Sequence, residues 1–153
     1  MAFSIPEDFI RARAAKDGVT HFSTGVVIVR GGKILVVRRV ADDHLGGWYE
    51  LPGGGVNDGE TFAAAAVREA LEETGLKVAD VIGMVDGFDY QTPRKPKVRQ
   101  INFVVSVEPG EVVLDPGEHG AYRWVGKADI GQLKATDEIK RCLYDAVAQV
   151  RVL

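Results

Sequence analysis

The chain has 153 residues and a formal net charge of −3. That length suits one domain with a packed core, and the mild charge excludes a broad electrostatic pull toward nucleic acid or acidic lipid. With 46% hydrophobic and 27% charged residues the balance is globular, and no window approaches the roughly 20 apolar residues of a membrane helix. Cys142 is the lone cysteine, so no disulfide framework is expected. The opening segment "MAFSIPEDFIRARAAKDG" lacks an apolar run ahead of a cleavage site and does not read as a signal peptide. The expectation is a cytoplasmic protein with neither a membrane nor a nucleic-acid polymer as partner.

In chain order, "PEDFIRARAAK" reads as a short helix, with Pro6 in its first turn, Glu7 and Asp8 at the positive end of its dipole, and Gly18 ending it. "TGVVIVR" and "KILVVRR" are β-branched runs separated by Gly31 and Gly32, a hairpin signal. "WYELP" reads as a short strand stopped by Pro52, followed by a loop of Gly53, Gly54 and Gly55. "ETFAAAAVREALEET" is a helix built on alanine, the best helix former, with Gly75 as its C-cap candidate. "VADVIGMVDGFDYQ" and "VRQINFVVSVE" read as strands around a basic loop, "TPRKPK". "AYRWV" is a further strand, and "ATDEIKRCLYDAVAQVRVL" is a closing amphipathic helix. Strands and helices mix without strict alternation, so the expected class is α/β, a mixed sheet with helices on both faces, in a single domain over residues 1–153.

Three carboxylates end the alanine-rich helix. Glu69, Glu72 and Glu73 are three and four residues apart and are expected to project toward one side, although like charges so placed cost about 0.2–0.5 kcal/mol per pair. A glycine loop upstream can bring a backbone carbonyl toward them. Carboxylates plus a carbonyl form an all-oxygen set for a hard cation, Mg2+ with Mn2+ as the alternative. Zinc would want His or Cys, and His21, His44 and His119 show no ligand spacing. Such a cation leaves room for water and phosphates and polarises phosphoryl oxygens, while a spare carboxylate takes a proton. Hydrolysis at phosphorus is the chemistry implied. No G-x-x-x-x-G-K-[ST] loop is present, so a P-loop NTPase is unsupported.

Gly54, Glu60 and the run Arg68-Glu69-Ala70-Leu71-Glu72-Glu73-Thr74-Gly75-Leu76 resemble the box of the Nudix hydrolase family. One position departs: Ala70 is small where a bulky apolar residue is usual, at a place that faces packing rather than metal. "RRVADDHLGGWYELPGG" resembles the segment ahead of the box in the family's MutT-like subgroup. The resemblance implies a Nudix-like α/β/α sandwich. It implies Glu69, Glu72 and Glu73 as metal ligands, with Glu69 also a candidate base, and the Gly53 carbonyl as a further ligand. Arg68 would orient the carboxylates through Glu60, and Glu118 would be another metal carboxylate. Arg39, with its neighbour Arg38, would contact the nucleotide.

Asp137 stands about where the MutT-like pattern places an asparagine that reads the purine edge. It would donate when protonated, accept from a base amino or N–H group such as cytosine's N4, or serve only as a helix cap. The residues Arg94, Lys95, Lys97 and Arg99 form a solvated loop or a phosphate-steering patch. Trp48 and Trp124 read as strand packing, Cys142 as core, and His44 and His119 as surface residues with substrate contact as the alternative. Two functions follow. One is a metal-dependent pyrophosphohydrolase acting on a small-molecule nucleotide. The other is a non-catalytic module that only binds one. Ordinary or oxidised nucleoside triphosphates lead as substrates; ADP-ribose, nucleotide sugars and dinucleoside polyphosphates stay open.

Overall fold

The computed structural model describes residues 3–41 and 46–150. Helix α1 (Glu7–Lys16) leads into strands β1 (His21–Arg30) and β2 (Lys33–Arg39), followed by β3 (Tyr49–Glu50) and β4 (Gly53–Gly55). Helix α2 (Phe62–Thr74) precedes β5 (Val78–Tyr90), β6 (Val98–Val107) and β7 (His119–Val125), and the short α3 (Lys127–Ile130) precedes α4 (Asp137–Val150). The β1–β2 hairpin turns through Gly31 and Gly32, both at positive φ (58° and 75°), as a two-residue turn requires.

The described strands form one mixed sheet in the order β3-β2-β1-β6-β5. β1 and β6 run parallel from His21↔Val98 to Val29↔Ser106, while β5–β6 is antiparallel. The sheet divides at β1. Its far end pairs with β2 at Val29↔Ile34, and its near end pairs with β4 at Gly25↔Gly53. β2 then takes β7 and β3 as neighbours.

Period-two alternation sorts the apolar side chains into two layers. Val27, Val36 and Val104 pack under α4 against Ile139, Cys142, Leu143 and Ala146. Val26, Ile28, Phe103 and Val105 pack under α2 against Phe62, Ala66 and Ala70. Helices therefore cover both faces, as the sequence predicts for an α/β/α sandwich. The small residues Ala66 and Ala70 are fully buried, so α2 lies close on the sheet, and Ala70 serves packing without a bulky side chain.

Thr61 caps α2 by accepting from the Ala64 N–H at 3.1 Å. Gly75 closes it in the left-handed conformation (φ 72°), its N–H donating to the Leu71 carbonyl at 2.9 Å. Phe62 anchors the first turn: it is fully buried, its ring lies 4.9 Å from that of Phe22, and the Arg11 guanidinium stacks 4.5 Å over it. Removing that ring would cost about 3–5 kcal/mol and loosen the helix that carries the carboxylates.

Two elements differ from the sequence expectation. Gly53–Gly55 is a strand rather than a loop, because it is held by pairing to β1. The four-residue α3 is too short to carry a periodic pattern and was not expected.

Candidate active site

The last two turns of α2 face β4. A side chain at Gly53 would strike the Thr24 carbonyl oxygen (1.9 Å from an ideal Cβ), and one at Gly54 would strike the Glu69 carboxylate (2.6 Å). Glycine at both places is thus steric, not a matter of loop flexibility: it lets the carboxylate end of α2 rest on the sheet. The Gly53 N–H donates to Glu73 Oε2 at 3.0 Å.

Arg68 organises the cluster. It donates to both Glu60 oxygens (Nε 2.8 Å, Nη2 2.9 Å), to Glu69 Oε1 (2.7 Å), to Glu72 Oε2 (3.2 Å) and to the Gly55 carbonyl (2.9 Å). The paired bond to Glu60 is the strong, planar kind available to arginine. It holds the Glu60 carboxyl at about 2, well below the ordinary value.

Glu69 and Glu73 are buried, at 8% and 5% exposure, whereas the Glu72 side chain is 58% exposed. The three carboxylates therefore do not share one environment. Two sit inside and one stands at the rim, because a three-residue step swings about 60° off the line of the first. Burial pushes the Glu69 acid up against the pull of Arg68. It pushes Glu73 further, to about 9, with Glu118 in hydrogen-bonding contact and Glu69 nearby adding to the rise. Carboxylates that resist ionisation without a counter-charge are ready partners for a cation.

Glu118 sits beside Glu73 at the exposed side, just before β7. His119 is a correction to the sequence reading: it is buried, not a surface residue. Its Nε2 is 2.8 Å from Glu50 Oε2, and its Nδ1 is 3.8 Å from Glu73 Oε2. The other oxygen of Glu50 accepts from Arg39 Nη1 at 2.9 Å. A line Arg39–Glu50–His119–Glu73 thus runs from the expected nucleotide contact to the carboxylate cluster. Glu50 was visible in the sequence only as part of "YELPGG", with no role attached. The adjacency of Glu118 and His119 at the head of a strand was the one signal for His119.

The remaining expected contacts are scattered. Arg38 is exposed on β2. Asp137 is the exposed first residue of α4, and the cap is its neighbour: Thr136 Oγ1 accepts from the Ile139 N–H at 3.3 Å. Arg99 is tied to Asp89 through two bonds (2.8 and 2.9 Å) and to Asp17 (3.0 Å), while Lys97 Nζ donates to the Asp17 carbonyl at 2.6 Å. These two basic residues fasten the β5–β6 hairpin to the end of α1 and do not form a free patch. Lys95 differs, since its Nζ lies 3.9 Å from where a Gly55 Cβ would be. The Lys134 ammonium stands 5.6 Å over the Trp48 ring, a contact the sequence did not suggest. Trp124 packs against the α2-side core with Arg30 over its ring, and Cys142 is buried, both as expected. The substrate-contact reading of His44 lies outside the described residues. The cavity of about 280 Å3 between Phe9 and Arg13 of α1 and Met84 and Arg99 of the sheet is lined by none of the clustered carboxylates.

A sheet with helices on both faces, and a glycine-backed carboxylate helix end gripped by one arginine, define a Nudix-type protein. The model of the NUDIX domain matches residues 19–147; the chain belongs to the Nudix family. It is 56% identical over 54 residues to a Mycobacterium tuberculosis protein named as a candidate 8-oxo-dGTP diphosphatase, covering 35% of this chain and 38% of the relative. It is 34% identical over 110 residues to the asymmetrical bis(5'-nucleosyl)-tetraphosphatase of Rattus norvegicus, covering 69% and 73%. A crystal structure of the MutT protein from Methanosarcina mazei superposes with a TM-score of 0.71 at 25% identity, covering 86% of this chain and 94% of that one. The chain thus spans well under half the length of the mycobacterial relative. No described helix is long and apolar enough to cross a membrane.

Proposed function

We propose that this protein is a divalent-cation-dependent nucleotide pyrophosphohydrolase, which directs water at one phosphorus of a nucleoside diphosphate linked to another group. The observation that carries the reading is the buried pair Glu69 and Glu73, raised by burial, with Glu118 against Glu73. That set fits Mg2+ or Mn2+. Glu69, Glu72, Glu73, Glu118 and the Gly53 carbonyl are the residues that would hold it. When bound, the cation supplies charge stabilisation on the phosphoryl oxygens and a more acidic water.

The chain's own groups have distinct tasks. Arg68, fixed by Glu60, aims Glu69 and bridges it to Glu72. Glu69, made more basic by burial, accepts the proton of the attacking water, as general-base efficiency favours a carboxylate raised toward the working pH. Arg38 and Arg39 contact the nucleotide, Arg39 being steadied by Glu50. The relatives' names refer to 8-oxo-dGTP and to a dinucleoside tetraphosphate; both contain a nucleoside polyphosphate, which supports a small nucleotide as substrate class. A cytoplasmic setting accords with the unpaired thiol of Cys142.

The test is product analysis over a panel of ordinary and 8-oxo nucleoside triphosphates, ADP-ribose, a nucleotide sugar and a dinucleoside polyphosphate, with and without Mg2+. Release of phosphate or pyrophosphate from one class, abolished by chelator, is expected. Binding without turnover across the panel would instead establish a non-catalytic nucleotide-binding module.

A further inference from the structure

We propose that His119 is a metal ligand, so that the site is a mixed nitrogen–oxygen centre selecting a first-row transition ion such as Mn2+ over Mg2+. The inference rests on the reading of the α2 carboxylates as the cation-holding face. Glu73, Glu118 and His119 each place one ligand atom within 4.8 Å of the others. Carboxylates so gathered would not by themselves single out His119; its own environment does.

His119 is 2% exposed, and its Nδ1 is a buried ring nitrogen with no hydrogen-bond partner among the described residues. A buried polar atom left unpaired is costly, and native interiors seldom keep one without a purpose. Nδ1 points toward Glu73, and the 3.8 Å gap to Oε2 is too long for a hydrogen bond.

The other face of the ring is already committed. Glu50 Oε2 lies 2.8 Å from Nε2, and a carboxylate only accepts, so the ring proton belongs on Nε2. The Nδ1 lone pair is then directed at Glu73. A carboxylate that fixes one ring nitrogen while the other faces a cation is the usual support of a metal-bound histidine, since it sets the tautomer and strengthens the ligand. Arg39 in turn holds Glu50 through Oε1 at 2.9 Å, so the ring is oriented from behind by an ion pair.

Imidazole changes the choice of ion. Mg2+ prefers oxygen and near-ideal octahedral geometry. Mn2+ and the later divalent ions accept nitrogen, with affinity rising along the series. A centre of Glu73, Glu118 and His119 should therefore discriminate where an all-carboxylate one does not.

The experiment is pulsed EPR on the Mn2+-loaded protein, prepared with natural-abundance and with 15N-histidine. Wild type is expected to show 14N modulation from a directly bound imidazole, altered by the label. The modulation should vanish in His119→Gln and persist in His21→Gln and His44→Gln. By calorimetry, His119→Gln should weaken Mn2+ about 10–100-fold and Mg2+ by less than about threefold. The wild-type spectrum answers the question even if His119→Gln folds poorly. Mn2+ that binds in a Glu73-dependent manner without nitrogen coupling would overturn the histidine assignment and leave the carboxylate reading standing. No saturable Mn2+ binding at all would overturn both.

Discussion

Arg68 holds Glu60 through two parallel hydrogen bonds, at 2.8 and 2.9 Å, and through that grip fixes the direction of a third bond to Glu69. Glu60 touches none of the clustered carboxylates in this arrangement except through Arg68. It anchors a guanidinium whose Nη1 also reaches the exposed Glu72 at 3.2 Å, so that Arg68 stays shared between the buried and the exposed acids. Glu60→Gln should therefore lower kcat about 10–100-fold, the scale for losing a supporting partner, with the fold retained. The Glu60 carboxyl is held near 2 against an ordinary 4.5. A depressed acid contributes stability above its unfolded value and loses it as the pH falls toward the folded one. The stability gap between wild type and Glu60→Gln should thus be full above about pH 5 and close on acidification toward pH 2. A gap that stays constant in urea titrations across that range would show that the ion pair is not what Glu60 provides.

Glu69 and Glu73 behave in the opposite sense. Burial raises both, Glu73 to about 9. Between the unfolded value and the raised one, the folded state holds protons that the unfolded chain has released, so stability falls as pH rises. In chelator, the Tm should decline from about pH 5 toward pH 9, and added Mg2+ should raise it most at the alkaline end, where the carboxylates must otherwise be ionised without a partner. Glu73→Gln keeps an acceptor for the Gly53 N–H but cannot ionise. That variant should be the more stable protein at pH 8 without metal, gain little from Mg2+, and lose more activity than Glu60→Gln. An apo Tm that climbs steadily from pH 5 to 9, or full turnover by Glu73→Gln, would defeat the assignment.

The sequence reveals this site unevenly, for physical reasons. The box from Gly54 to Leu76 is local: helix spacing and a Gly75 stop lie within one element, so the α2 helix and its cluster of acids could be anticipated, with the Arg68–Glu60 pairing implied by the family resemblance; the split into buried Glu69 and Glu73 and exposed Glu72 depends on how α2 lies on the sheet and was not legible. The sandwich was legible too, because the alternation of Val26, Val27 and Ile28 addresses two faces at once. His119 was not, since its burial depends on the long-range pairing of β7 with β2, at Arg39↔His119 after a register shift at Arg38/Arg39. Glycine has no strand preference, so β4 exists only because β1 offers it a free edge beyond the hairpin. Lys97 and Arg99 looked like a patch because their partners, Asp17 and Asp89, come from other elements.

Asp137 tests base selection. Thr136 supplies the cap of α4, which leaves the exposed Asp137 carboxylate available near the start of the helix. An ionised aspartate accepts only, whereas guanine O6 and N7 are acceptors and cytosine N4 is a donor. Asp137→Asn should shift the ratio of kcat/KM between purine and pyrimidine triphosphates toward guanine, by about 5- to 150-fold if one desolvated contact of roughly 1–3 kcal/mol is exchanged. The assay is a kcat/KM series over the four deoxynucleoside triphosphates and 8-oxo-dGTP. An unchanged profile would reduce Asp137 to a favourable charge on the helix dipole.

Lys95 and its neighbours separate steering from scaffolding. The Lys95 ammonium lies over the glycine strand, near Gly55, whose carbonyl is bound by Arg68. Lys97 and Arg99 are spent on Asp17 and Asp89. A polyphosphate approaching an acidic cluster is repelled, and an exposed cation at the entrance offsets that over a range of about 10 Å at 0.1 M salt. Lys95→Glu should therefore lower kcat/KM several-fold at low ionic strength, mainly through KM, with the deficit shrinking as salt is added. Arg99→Ala should act differently, lowering Tm by releasing α1 from the β5–β6 hairpin while leaving the salt dependence of kcat/KM unchanged. Steady-state kinetics for both variants between 20 and 300 mM salt, about 21 to 6 Å of screening length by the same law, decide the matter. Equal salt slopes for wild type and Lys95→Glu would make Lys95 another solvated loop residue.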